Sequence, residues 1–143
     1  MNVAAVSGRV IELGFPADAR YLILARLSLV GVAPAAALEP EAVADLKLAV
    51  TEACANAVRH AYAGKAGPVR MRIELAQDTL TIEVADDGKG MVAGRIPSPD
   101  PARDLEGGMG FAIMRSLVDE VEVDSAPGRG TVVRLVKRLP PAV

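Results

Sequence analysis

The chain has 143 residues, 51% of them hydrophobic and 24% charged, and a formal net charge of −2 with acidic and basic residues interspersed. That length and balance describe one globular domain, residues 1–143, with a core of its own, and they exclude a disordered chain. No basic tract or Lys/Arg-rich helix occurs, which argues against direct nucleic-acid binding as the primary role. Two Phe, two Tyr and no Trp leave the core mainly aliphatic. Cys54, the single cysteine, lies among apolar residues and reads as a small buried hydrophobe, which leaves neither a disulfide framework nor a zinc site. No apolar run reaches membrane-spanning length and no signal pattern opens the chain, so the expected compartment is the cytoplasm, with no membrane partner.

In chain order, Gly8–Phe15 alternates as a first strand and Pro16 ends it. Ala17–Val30 is apolar enough for a first helix, with Asp18 suited to its cap or first turn. Gly31–Leu38 is a small-residue connection. Pro40 and Glu41 suit the opening of a longer helix that is expected to run to Gly64, where Gly64–Pro68 forms a turn cluster. Val69–Leu75 and Leu80–Ala85 read as an antiparallel hairpin, because Arg70, Arg72 and Glu74 alternate with Met71, Ile73 and Leu75. Asp86–Gly108 carries five glycines and three prolines without an apolar period, and in a domain this small such a segment reads as a functional lid. Met109–Val118 resumes helical spacing, and Glu120–Ser125 with Thr131–Arg138 forms a second hairpin. The order β-α-α-β-β-lid-α-β-β predicts an α+β fold, a two-layer sandwich whose mostly antiparallel sheet is covered on one face by helices.

Chemistry-bearing residues stand at four places. In the long helix, Val43, Leu46, Val50, Cys54, Ala57, Val58 and Ala61 make an apolar stripe, while Glu52 and Asn56 stack one turn apart on the other side. A carboxylate over a carboxamide can activate a hydroxyl and hold a hard cation; on that segment alone, a solvated helix face is the better explanation of the pair. Asp86-Asp87-Gly88-Lys89-Gly90 leaves a strand end, either as an acidic turn or as a ligand wall with glycines that permit close approach. Gly107-Gly108-Met109-Gly110 precedes a helix and suits either a hinge or a phosphate seat. Gly128-Arg129-Gly130-Thr131 is a hairpin turn that also offers a hydroxyl.

Taken in order, these motifs resemble the bacterial anti-sigma factor serine kinases, of the sporulation and stress-response types, within the histidine-kinase-like ATPase superfamily. Glu52-Ala53-Cys54-Ala55-Asn56 with His60-Ala61-Tyr62 matches the family's N box, Asp86–Gly90 its G1 box, and Gly108-Met109-Gly110-Phe111 with Ile113-Met114 its G2 box. Asp119–Val123 and Gly130–Val133 continue the likeness, which covers roughly residues 8–138.

The resemblance implies an anti-sigma factor that is also a protein-serine kinase, using ATP and Mg²⁺ to phosphorylate an anti-anti-sigma (STAS-type) protein and sequestering a sigma factor. It implies Glu52 as general base, Asn56 as Mg²⁺ ligand, and Asp86 as acceptor for the adenine amino group beside Gly88 and Gly90. Gly108, Met109, Gly110 and Phe111 would form the phosphate-side start of the helix, with a lid over about residues 91–107 and Thr131 near the adenine. His60 is not expected to act as a phosphoacceptor, since it lies within the N box itself. Arg20 and Arg26 are the expected partner contacts, and a homodimer is implied. The alternatives are a switch that sequesters its partner with little phosphoryl transfer, or a kinase of a regulatory pathway without a sigma factor.

Overall fold

The computed structural model describes residues 9–62, 65–91 and 108–140, with the backbone alone for residues 108 and 109. Five strands, β1 (Arg9–Pro16), β2 (Pro68–Leu75), β3 (Thr79–Asp86), β4 (Glu120–Ser125) and β5 (Thr131–Arg138), form one sheet in the order β1-β2-β3-β5-β4. Every neighbouring pair is antiparallel. Among the described residues three α-helices accompany it: α1 (Leu22–Val32), α2 (Pro40–His60) and α3 (Gly108–Leu117). Both expected hairpins are present, and β5 inserts between β3 and β4.

Strand alternation decides which face is covered. In β3 every second side chain, Leu80, Ile82, Val84 and Asp86, is buried, and in β2 the buried set is Val69, Met71 and Ile73. These join Phe15, Val133 and Leu135 in one core with the helices. The other face is charged. Register places Glu12, Arg72, Glu83, Arg134 and Glu122 in one row across all five strands, alternating in sign. Arg134 lies 3.0 Å from Glu83 and 3.8 Å from Glu122, and Arg72 lies 3.8 Å from Glu12. Such exposed pairs add little stability, but they keep the face wet and pin the pairing of strands.

α2 is the central helix of its layer, packed against α1, α3 and the sheet. Its buried residues are Leu46, Ala49, Val50, Ala53, Cys54 and Ala57. Three alanines let the helix approach its neighbours closely, and two of them, Ala49 and Ala53, widen the buried face beyond the stripe expected from the sequence. Burial pushes the Cys54 thiol up to about 12, so it is a packing residue with no thiolate at neutral pH. α2 ends at His60 rather than running to Gly64, and residues 63 and 64 lie outside the described residues.

The first helix departs from its expected bounds at both ends. Asp18, in extended conformation, accepts from the Arg20 amide and closes a 3-10 turn over Ala19–Tyr21 before α1 begins. At the far end α1 continues through Gly31 because Val32 belongs to the core. The chain then turns off with Ala37 in the left-handed region at φ 51°, and the Leu38 amide donates to the Ala33 carbonyl at 3.2 Å. An alanine there bears a Cβ clash that glycine avoids, partly offset by glycine's larger loss of freedom on folding. Ala37→Gly is therefore expected to raise stability by about 0.5–1 kcal/mol, read as a higher urea midpoint at unchanged slope.

Candidate functional site

Among the described residues, the buried polar side chains are those of Asp86 and Thr131, each 6% exposed, and they are register partners across β3 and β5. Asp86 stands where the alternation of β3 would place another aliphatic residue. Its Oδ1 accepts from the Gly88 amide at 2.9 Å. Burial raises its pKa, and the amides of Gly88 and Thr131 pull it back in part. The neighbouring Asp87 points outward into a bidentate pair with Arg70, at 2.7 and 2.9 Å, which holds its carboxyl below the usual range. One carboxylate is thus spent on a surface pair, and the other is kept inside facing a polar partner.

The glycines after Asp86 are required by close backbone contacts. A Cβ on Gly88 would strike the carbonyl of Ala61, just past the end of α2, and the Lys89 amide donates to that same carbonyl at 2.9 Å. Gly90 has φ +71° and lies against the carbonyl of Ala126, while the Gly128 amide donates to Lys89 at 2.7 Å. Gly130, at φ +77°, lies against the Asp86 carbonyl. The loop is clamped between the end of α2 and the β4–β5 turn. At its exit the Met91 amide donates to Ser125 Oγ at 2.8 Å, and that hydroxyl is 2.7 Å from Thr131 Oγ1.

Glu52 and Asn56 are half-buried on the flank of α2, which makes this flank a cleft wall rather than a solvated face. The first turn of α3 comes directly against it. A Cβ on Gly110 would lie 3.1 Å from Glu52 Oε2 and 4.0 Å from Arg59 Nη2. A larger residue at Gly110 would press on the carboxylate and on the guanidinium beside it. The amide-rich start of α3, a carboxylate and a cation therefore converge on the C-terminal part of α2, and the Asp86–Gly90 loop docks just past its end, at Ala61.

A family model of the histidine kinase-like ATPase domain matches residues 15–137. The chain belongs to the histidine kinase-like ATPase family. Among its relatives, an anti-sigma F factor of Caldanaerobacter subterraneus subsp. tengcongensis is 43% identical over 109 residues, covering 72% of this chain and 76% of that one. The serine-protein kinase RsbW of Bacillus pumilus is 41% identical over 129 residues, covering 82% and 80%. A solved structure of the RsbU and RsbW domains of a Mycobacterium tuberculosis protein overlays with a TM-score of 0.70 at 23% identity, covering 94% of this chain and 33% of that chain. The α+β sandwich expected from the sequence is the fold these neighbours share.

Against the ATPase motifs, the structure places the remaining residues as follows. Gly108 opens α3, and the Met109 side chain lies outside the described residues, as does the lid beyond Met91. Phe111 is 2% exposed and packs in the core, so it anchors α3. His60 is exposed at the end of α2, and desolvation with the nearby charges of Arg59 and Lys89 lowers its pKa. Arg20 is exposed and paired with Asp18 at 2.8 Å, and Arg26 is exposed on α1. Three residues escaped the sequence reading: Arg59, Ser125 and Tyr62, the last quoted within the N box but given no role. Arg59 was within reach of it, because positions 52, 56 and 59 share one helix face.

The electrostatics of Asp86 generate a sign that can be measured. Its folded-state pKa is raised, so its contribution to stability is present below the unfolded carboxylate pKa and is lost as pH rises through the folded value. At neutral pH its buried charge is a cost to the nucleotide-free fold. Asp86→Asn is expected to unfold at higher urea than wild type at about pH 7, with the difference shrinking towards about pH 4 as the wild-type carboxyl protonates. Parallel urea titrations at the two pH values check this, and a gap that widens on acidification would contradict it.

Proposed function

We propose that this chain is a protein-serine kinase and anti-sigma factor that binds Mg-ATP between α2, α3 and the Asp86–Gly90 loop. In this reading it phosphorylates a serine of an anti-anti-sigma (STAS-type) protein and sequesters a sigma factor, acting in the bacterial cytoplasm. The observation that carries the reading is a pair of unlike sites side by side at the C-terminal part of α2. On the helix flank the half-buried Glu52 faces the glycine-lined start of α3, and just past the helix end, in the loop docked on Ala61, the buried Asp86 faces Thr131. An adenine nucleotide has the same two-ended chemistry, an amino-bearing base and a polyanion. The names of the relatives, anti-sigma F factor and serine-protein kinase RsbW, support the same reading.

Each residue then has a task that its surroundings suit. Asp86 accepts from the adenine amino group, which adds a donor to its buried charge beside the amides of Gly88 and Thr131. Gly88 and Gly90 hold that wall close, with Thr131 beside it. The amides around Gly108, Met109 and Gly110 face the phosphates, and Arg59 adds positive charge there. Phe111 holds the turn from within the core, and the lid over about residues 91–107 excludes water. Glu52 takes the proton of the attacking serine hydroxyl. Asn56 offers the amide oxygen for Mg²⁺, a cation usually held by one or two protein oxygens together with phosphates, which when bound neutralises developing phosphate charge. Among the described residues no three His, Cys, Asp or Glu side chains form a protein-only cage, and such a shared site needs none.

A single domain over residues 1–143 is proposed to work as a homodimer. α1 leaves Ile23, Leu24, Leu27 and Val30 exposed, and Val10 and Ile11 of β1 are exposed as well. An apolar set of this kind favours a protein partner. Arg20 and Arg26, on the same segment, are proposed to contact the sigma factor.

Three experiments test these assignments. Mg-ATP at a hundred times its dissociation constant is expected to stabilise wild type by about 2.7 kcal/mol, and to stabilise Asp86→Asn much less. Transfer of labelled γ-phosphate to the STAS-type protein should fall at least about a hundredfold in Glu52→Ala while nucleotide binding persists. Transfer that survives in that variant removes Glu52 as base. A wild type that binds nucleotide and sigma factor without any transfer is a sequestering switch instead, and one that transfers phosphate but forms no sigma complex is a kinase of another pathway. For the dimer, Leu27→Asp is expected to sediment as a monomer where wild type sediments as a dimer.

A further inference from the structure

The phenol of Tyr62 occupies an unusual place in the sheet. The β2–β3 ladder ends at the pair Val69 and Asp86. One step further, Pro68 faces Asp87, and proline has no N–H to continue the ladder. Here the Tyr62 hydroxyl stands between the two backbones. The Asp87 amide donates to it at 2.7 Å, and it donates to the Pro68 carbonyl at 2.5 Å. A direct N–H to carbonyl bond is thereby replaced by a relay through one oxygen, which holds the residues after Asp86 away from β2 and towards α2. The ring is seated on Gly67, where a Cβ would collide with it. The Gly67 carbonyl in turn accepts from Ala17 at 2.8 Å, tying the turn to the end of β1.

We propose that Tyr62 is a positioning residue for the adenine wall, holding Asp86 and Gly88 at their working separation from α2 through the Asp87 amide. The proposal rests on the nucleotide reading above and deepens it. Its strength comes from the length of the connection. Tyr62 lies two residues beyond α2, the helix that carries Glu52 and Asn56, so one side chain ties the adenine end of the site to the frame that sets its phosphate end. The competing brace, Arg70 with Asp87, spans the same point on the outside, where both side chains are more than half exposed, at 55% and 57%. An exposed pair of that kind positions weakly. Without the phenol oxygen, the Asp87 amide either falls directly onto the Pro68 carbonyl or goes without a protein partner. Both outcomes move the turn that begins with the Gly88 to Asp86 hydrogen bond.

The test is calorimetric titration of the full chain with Mg-ATP and Mg-ADP, alongside steady-state phosphoryl transfer. Tyr62→Phe is expected to weaken both nucleotides by the same factor, about three- to tenfold. The KM for ATP should rise by that factor while kcat at saturating ATP holds within about twofold, a split that a general loss of stability would not produce. Gly67→Ala, which keeps the hydroxyl but displaces the ring, is expected to give the same change, and the double variant no more than either alone. Arg70→Ala should leave both affinities within about twofold. Unchanged affinities in Tyr62→Phe, or a loss confined to kcat, would overturn the proposal. Should Tyr62→Phe fail to fold, Gly67→Ala decides by the same criteria. A wild type that binds neither nucleotide would instead bring down the nucleotide reading, and the role of Tyr62 with it.

Discussion

The burial of α2 is the constraint on which the rest of the structure depends. A helix packed against two other helices and a sheet has only a narrow flank left, and whatever stands on that flank is held by the packing of everything beneath it. Ala49, Ala53 and Ala57 make this possible, since side chains that small bring the helix axis close to its neighbours without leaving voids. The flank then carries Glu52, Asn56 and Arg59, with the start of α3 close against Glu52. The carbonyl of Ala61 becomes a fixed acceptor for the Asp86–Gly90 loop. Both ends of the site are thereby referenced to one rigid body, which suits a reaction in which a base, a hydroxyl and a phosphoryl group must be aligned.

The two adjacent aspartates show how the fold separates structure from function. Asp87 has a guanidinium partner and solvent, and its charge is satisfied where it stands. Asp86 has two backbone amides and, among the described residues, no ion pair, and its pKa moves the other way. A fold selected for stability alone would place Leu or Val at that inward position. The retained carboxylate is a local violation of the core pattern, of the kind expected where a ligand completes the hydrogen bonding.

Much of this was legible in the sequence because it follows from local periodicity. The alternation of Leu80, Ile82 and Val84 with polar residues sets the inward parity of Asp86, and the stacking of Glu52 on Asn56 follows from helix geometry. The glycine clusters marked the loops that the backbone contacts require. What escaped depended on distant register. The insertion of β5 between β3 and β4, the meeting of Ser125 with Met91, and the Tyr62 relay each join residues far apart in the chain, and nothing local announces them. The 3-10 turn before α1 is hidden for another reason: Asp18 suits a cap or first turn, but neither reveals which kind of turn it closes. Half-burial of Glu52 could not be read from α2 alone, since it is α3 that turns a helix flank into a cleft.

Several of the features that sequence reading missed share a physical role. Ser125, Tyr62 and the carbonyl of Ala61 touch backbone rather than a ligand, and each holds one edge of the Asp86–Gly90 loop. A loop with two tightly packed glycines, one of them left-handed, has little intrinsic preference for a single shape, because glycine loses the most freedom when fixed. Its geometry must be imposed from outside, by hydrogen bonds from elements that are themselves rigid. The conspicuous motif therefore says where a ligand would lie, while the less conspicuous donors and acceptors around it determine how well the wall is formed before that ligand arrives. A wall formed in advance spares the nucleotide the ordering cost of assembling it, and so affinity depends on residues that never meet the nucleotide.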